Sequence, residues 1–506
     1  MSSLPSNPDI RHLRLQAKTL LKSARSGEEH AVDRIRSATG ARRDRLVLSD
    51  AYHAIARENG FGSWPHLKIH FEIVARNLDE KREMFLSSAW VWGDRKRAEA
   101  VLESAPELTR GDIHAACAAG DVDAVTDILE TDPAAATTKG GPKDWTPILH
   151  AAWSCFLSER ADAMVRVLEL LLRHGADPDS YWVNDDDWKE SALYGCVENN
   201  CVPAARVLVD AGANPNDNES LYHACEKFNL ELLETVAANG LDAEAVSYCI
   251  KHVMDMNWTE GIRWFLDQGA DPNAIHPADR ETSLHWAVKR NNSALVIGAL
   301  LEAGADPNAR TSTGKSTALG IVGYTPLDFA LRLGRGEVAA LLQRHGAVPS
   351  PMSEYDRFVV ACGNADLETV EHLKDRYLAA LTDDDRTLIS HVGQVDNWDA
   401  VRLMAELGWP VDARGWMDAT PLYWALCKGN PEMVDFLLRR DVSTEPIGGY
   451  FQDPIHTVIH CQWNRDKGEY PDALGLLLDH GLSVPEGRYP TGNAAMDAVL
   501  SQYIED

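Results

Sequence analysis

A chain of 506 residues is too long for one ordinary core, so it must hold several domains or a repeat array that grows in one dimension. No apolar run approaches the roughly 20 residues of a membrane helix, and the opening MSSLPSNPDIRHLRLQ lacks the apolar region of a secretory signal, so a cytoplasmic location is expected. The net charge of −28 is uneven: residues 1–78 hold 13 Lys and Arg against 8 Asp and Glu, and the remainder is strongly acidic. An acidic body repels phosphates, which makes nucleic acid an unfavourable partner and a basic one a good match.

In chain order, the N-terminal segment predicts helices over 9–26, 28–38, 45–59 and 63–78. Gly60 ends the third, and Ser63 with Pro65 opens the fourth. From about residue 83 two phrases alternate. One is a helix stop: GADPD at 175–179, GANPN at 212–216, GADPN at 269–273 and 304–308, and GAVPS at 346–350, with weaker copies from Gly240, Gly408 and Gly481. Gly takes the left-handed position after the helix, and the Pro beyond it forbids continuation. The other is a helix start: TPIL at 146–149, TSLH at 282–285, TPLD at 325–328, TPLY at 420–423 and DPIH at 453–456. Thr or Asp caps the helix and Pro occupies its first turn. Inner helices are expected near 83–92, 113–119, 146–154, 191–199, 220–227, 248–256, 283–290, 326–333, 354–362, 387–394, 421–428 and 454–462.

Paired helices with a hairpin loop about every 33 residues resemble the ankyrin repeat. The expected fold is all-α with short β-hairpin loops: a solenoid of about eleven repeats over 79–492, preceded by a basic helical module over 1–78 and closed by a capping helix over 493–506. LRLQAKTLL and AIARENGFGSWPHLKIHFE resemble a helical module that precedes ankyrin arrays in bacterial proteins, which implies a bacterial source.

Few motifs point to chemistry. The segment Ala309 to Ser316, ARTSTGKS, satisfies a loose phosphate-loop pattern, but it lies in a predicted hairpin rather than between a strand and a helix. His456 and His460, with Cys461 adjacent, have a zinc-compatible i, i+4 spacing. The HExxH glutamate is missing, and His456 is the TPLH histidine, which in ankyrin repeats bonds to backbone. His114 and His285 share that position. The nine cysteines are scattered, and Cys117, Cys196 and Cys225 fall at small buried positions, so they read as core thiols. No metal and no cofactor are expected.

One residue beyond the TPLH histidine, the array reads Ala115, His150, Gly195, His223, His252, Trp286, Phe329, Val360, His391, Trp424 and Thr457, where the family usually has Leu. Trp153, Glu198, Glu226, Lys227, Asp255, Lys289 and Arg290 share that helical face. The hairpin tips add Tyr181, Trp182, Asp187 and Trp188. The intervals 212 to 240 and 240 to 269 leave no room for a full hairpin, so a notch is expected over His223, His252 and Asp255.

Two functions follow from different classes. The resemblance implies a scaffold that recognises a protein or peptide partner, basic by charge, through the concave face and hairpin tips. Its binding candidates are His150, Trp153, Tyr181, Trp182, Asp187, Trp188, Glu226, Trp286, Lys289, Phe329, His391 and Trp424. The alternative is an enzyme or small-molecule binder with a pocket in the central groove. There His223, His252, Asp255 and Glu198 would be the acid/base candidates, for hydrolysis, isomerisation or cyclisation.

Overall fold

The computed structural model describes residues 10–39, 46–275, 280–312, 322–462, 468–485, 489 and 491–503. They are almost wholly helical and divide into two compact units, Met1–Asp242 and Ala243–Glu505.

The first unit begins with α1 (Ile10–Arg25), α2 (Glu29–Thr39), α3 (Leu48–Glu58) and α4 (Trp64–Val74). Their apolar faces bury Leu13, Ala17, Leu20, Ile35, Ile55 and Leu67 in one cluster, and Tyr52 stacks on Trp64. α4 ends four residues before the expected 78. Asn77 caps a new helix, Leu78–Ser88, through a reciprocal box in which its side chain accepts from the Glu80 amide and Glu80 accepts from the Asn77 amide, each at 2.9 Å. An ion pair between Arg97 and Glu72 ties α4 to the helix Arg95–Ser104.

Helix pairs then follow in register. In the first unit the inner members are Ile113–Ala119, Pro147–Ala152, Ala192–Glu198 and Ser220–Ala224. In the second they are Ala243–Asp255, Ser283–Lys289, Pro326–Arg332, Glu354–Gly363, Leu388–Gln394, Pro421–Cys427 and Pro454–Cys461. An outer helix follows each, and Ala494–Leu500 closes the second unit, burying Met496 and Leu500. All nine cysteines are buried thiols; burial pushes those of Cys117 and Cys196 well up, which suits core packing rather than reactivity.

The stop glycines behave as their chemistry dictates. Gly175, Gly212, Gly240, Gly269, Gly304, Gly346, Gly408 and Gly481 all have φ between +87° and +101°. The start phrase works less uniformly than expected. Thr325 and Asp453 accept the cap hydrogen bond, and Thr282 reaches His285 Nδ1 at 2.8 Å. At Thr146 and Thr420 the hydroxyl makes no cap bond and is buried without a hydrogen-bond partner among the described residues, so Pro147 and Pro421 mark those helix starts.

The last residue of the stop phrase has a role that its sequence does not announce. Asn273 donates to the Gly304 carbonyl (2.9 Å) and accepts from the Asp306 amide (2.8 Å); Asn308 does the same with Gly346 (2.9 Å) and Val348 (2.8 Å). In the first unit Asn216 bonds Gly240 (3.2 Å) and Asp242 (2.9 Å). Each Asn thus staples its loop to the next repeat's helix stop. Where the residue is Asp the accepting half is seen: Asp179 takes the Asn214 amide at 2.6 Å, and Asp412 takes the Ser443 amide at 2.8 Å.

The hairpins are unequal. Among the described residues one pair of strands forms, β1 (Tyr181–Val183) against β2 (Lys189–Ser191), antiparallel, with Trp182 opposite Glu190. Isolated bridges join Gly140 to Trp145 and Gly448 to Gln452. No strand forms between Gly212 and Ser220, and Ala243 starts a helix three residues after Gly240, as the short intervals require. Lys315 and Ser316 of the phosphate-loop pattern lie outside the described residues; Thr311, before them, exchanges backbone hydrogen bonds with Gly323 and Tyr324.

Candidate functional site

In the first unit, the loop 139–146 and the β1–β2 hairpin stand side by side and enclose an open groove of about 710 Å³. Lys143, Asp144 and Trp145 line it from one hairpin, and Asp177, Asp179, Tyr181 and Trp182 from the other. Asn184 builds the hairpin tip. Its side chain accepts from the amides of Asp186 (2.9 Å) and Trp188 (3.0 Å) and donates to the buried Glu190 carboxylate (2.7 Å). This turn leaves Tyr181 and Trp188 46% and 55% exposed, with Asp185, Asp186 and Asp187 around them.

Beneath the groove lies a cluster of five tryptophans. Trp145 meets Trp182 with centroids 5.3 Å apart, Trp182 meets Trp153 at 5.6 Å, Trp153 meets Trp92 at 4.9 Å, and Trp90 touches Trp92, Trp145 and Trp182. Trp153 is fully buried and donates to the Ser191 carbonyl at 2.9 Å. Its ring passes over Gly195, where an added Cβ would lie 2.7 Å from it, so the small residue in this row makes room for the indole. The sequence reading chose Trp153 and Trp182 but missed Trp90, Trp92, Trp145 and Lys143. The WVW run at 90–92 is the signal that could have found them.

The aromatic cluster passes into a charged one. Trp92 donates to Glu198 (3.3 Å), which also accepts from Lys227 (3.1 Å), and Tyr194 stacks on His223 at 4.7 Å. The His223 nitrogens face Glu219 at 3.2 Å, Glu226 at 3.1 Å and Glu198 at 4.0 Å. Burial opposes the charged ring, but the hydrogen bonds to Glu219 and Glu226 and the charges of Glu226 and Glu198 prevail and raise its pKa to about 9. At neutral pH it is an imidazolium, and a general base must be unprotonated. Glu198, His223 and Glu226 bring three ligand atoms within 4.8 Å of one another, a possible metal set. A cation there would have to expel the His223 proton and the Lys227 ammonium, so the donors fit an ion-pair network better.

In the second unit, Asp255 Oδ1 accepts from both Trp286 (2.9 Å) and Arg290 (2.7 Å), and its other oxygen lies 4.0 Å from His252 Nδ1. Arg290 covers the face of Trp416 at 3.5 Å, and Trp416 stacks on Trp424 and meets Trp286 edge to face. Lys289 is buried against Glu281. These groups are engaged with one another. His223 falls in the first unit and His252 with Asp255 in the second, so the acid/base set expected over a notch is divided between two units.

The row beyond the TPLH histidine is mostly interior. His150, Phe329, His391 and Trp424 are buried, and so is Lys289 on the same face; His223, His252, Trp286 and Val360 keep some exposure. Burial, with His114 nearby, lowers the pKa of His150 to about 3 while its Nε2 sits 3.2 Å from the Gly140 carbonyl. Burial, with Lys289, lowers His391 to about 3. Both are neutral packing residues. Phe329 lies between His285 and Tyr324. The TPLH histidines bind oxygen acceptors: His285 Nε2 meets the Tyr324 carbonyl (3.0 Å) and His114 Nε2 that of Thr138 (2.8 Å). His456 stacks on His460, whose Nε2 lies 3.1 Å from the Tyr450 hydroxyl.

Residues 247–352 match the family model for ankyrin repeats in three copies, and residues 417–445 match that for a single ankyrin repeat. These segments are ankyrin repeats. An ankyrin repeat protein of fowlpox virus (strain NVSL) is 27% identical over 163 residues, 28% of this chain and 23% of that protein, so the match spans about a quarter of each. Among solved structures, the human ASB11 ankyrin repeat domain aligns at 18% identity over 48% of this chain and all of its own (TM-score 0.36). The Bcl-3 ankyrin domain of the IkappaB family aligns at 20% over 58% and 98% (TM-score 0.31), and an ankyrin domain from Acinetobacter baumannii AYE at 22% over 40% and 98% (TM-score 0.33). The fold is all-α, built of ankyrin-type helix pairs. Ankyrin repeats generally serve as scaffolds for protein–protein interaction. No helix among the described residues is long and apolar enough to cross a membrane.

Proposed function

We propose that the chain is a non-catalytic scaffold that binds a basic protein or peptide through the hairpin tips and groove of the first unit. The observation that carries this reading is the exposure of Tyr181 and Trp188 on a hydrogen-bonded two-stranded hairpin, beside a groove edged by Asp144, Asp177 and Asp179. Large aromatic side chains on a fixed backbone are effective anchors, because they bury much area for few frozen rotamers. The carboxylates around them favour a cationic partner and disfavour nucleic acid.

The acid/base alternative is less well supported, because His223 carries its proton at neutral pH and Asp255 is held by two donors. An acidic ankyrin scaffold with no membrane-crossing helix among its described residues suits a cytoplasmic site. The likeness of residues 1–78 to helical modules of bacterial proteins supports a bacterial source.

Affinity capture from native lysate, run in parallel with a Tyr181→Ala/Trp188→Ala double variant, tests the scaffold reading. A polypeptide held by the parent and lost by the variant is the expected result. Retention of a small metabolite with no polypeptide would overturn it.

A further inference from the structure

Lys143 occupies an unusual place. It sits at a hairpin tip between Gly141 and Asp144, both with left-handed backbone (φ +71° and +52°). This turn swings its ammonium inward, 3.7 Å from the ring centroid of Trp90 and 5.1 Å from that of Trp145. Among the described residues the ammonium has neither a hydrogen bond nor an ion pair. A primary ammonium is strongly hydrated and normally keeps water or a carboxylate. Here it gives up part of that hydration for aromatic faces alone, and burial lowers its pKa against the pull of Asp185. Trp182 packs against both rings of this two-faced box, and its indole N–H is buried without an acceptor among the described residues.

The surroundings suit a cation arriving from outside. Lys143, Trp145 and Trp182 line the groove of about 710 Å³ whose rim carries Asp144, Asp177 and Asp179. Tryptophan faces are the best π-system for an alkylammonium, and carboxylates on the approach raise its local concentration. We infer that the Trp90–Trp145 box, flanked by Trp182, seats a lysine side chain of the partner polypeptide, and that Lys143 is an internal occupant which this lysine displaces. The inference rests on the scaffold reading and names the chemistry at its centre. An internal competitor weakens the apparent affinity by the fraction of time it holds the box. Substituting it with a neutral side chain of similar length therefore tightens binding.

The test titrates the full chain with tetramethylammonium, read by the indole N–H resonances, with neopentyl alcohol as the neutral isostere. Tetramethylammonium is expected to shift the Trp90, Trp145 and Trp182 signals and the alcohol not to. Lys143→Met is expected to tighten tetramethylammonium about tenfold, and Trp90→Phe, which keeps a ring but weakens its face, to loosen it several-fold. A lysine-rich peptide should compete for the Lys143→Met box, and its norleucine analogue should not. Equal binding of the alcohol, an unchanged affinity in Lys143→Met, or failure of the lysine peptide to compete would overturn the inference. A captured polypeptide that binds Lys143→Met and Trp90→Phe as it binds the parent would also overturn it, while leaving the scaffold reading intact.

Discussion

His150 and His223 stand two repeats apart on the same row of the inner helices, yet at neutral pH one is uncharged and the other a cation. Burial, with His114 nearby and a carbonyl as its hydrogen-bond partner, keeps His150 neutral; His223 meets three carboxylates and stays protonated. The consequences for stability have opposite signs. The folded pKa of His223, about 9, lies above the ordinary 6.5, so its stabilisation is full below 6.5 and is lost as pH rises through 9. Comparing His223→Gln with the parent by urea unfolding from pH 6 to 10 should show a gap that closes toward pH 10; a constant gap would refute the assignment. His391 behaves inversely. Its folded pKa of about 3 lies below 6.5, so the unfolded chain binds the extra proton and stability falls as pH drops from 6.5 toward 3. His391→Leu should flatten that acid limb in thermal melts.

Several repeats rely on two small devices at the loop. The first is the glycine stop: Gly269 has φ +91° and open space where a Cβ would go, so Gly269→Ala meets only backbone strain. A loss of about 1–2 kcal/mol in urea unfolding is expected. The second is the Asn staple. Asn273→Ala removes two inter-repeat hydrogen bonds and should cost about 1 kcal/mol, whereas Asn273→Asp keeps the accepting half and should cost less. Equal losses would show that the bond accepted from the Asp306 amide contributes nothing. The stop phrase and its glycines are legible because they answer to one residue's own φ. The staple was missed because its partners lie in the next repeat, more than 30 residues away.

A stack of repeats leaves apolar faces at its ends, and the second unit closes one of them with Ala494–Leu500. Met496 and Leu500 are fully buried there. Deleting residues 493–506 should expose that face, lower the unfolding free energy by on the order of 3 kcal/mol and broaden the urea transition, as nearest-neighbour coupling requires. An unchanged midpoint would mean that the helix is not a cap. At this scale charge also acts: a basic partner drawn to so acidic a chain should associate more slowly as ionic strength rises.

The amino-acid sequence by itself determined the helix pairs, their glycine stops, the weakened central hairpins and the acidic balance. Each of these follows from local backbone preference, short-range spacing or composition. Only the tertiary structure decided which of the row residues are interior. It made His150, Phe329, His391 and Trp424 packing residues, and it gathered Trp90, Trp92, Trp145, Trp153 and Trp182 into one cluster, on two of whose faces rests a lysine that no motif marks. The physical reason is that burial and convergence depend on how neighbouring repeats stack. A side chain's period along its own helix sets the direction it leaves the backbone, but the residues it meets belong to other helices and other loops.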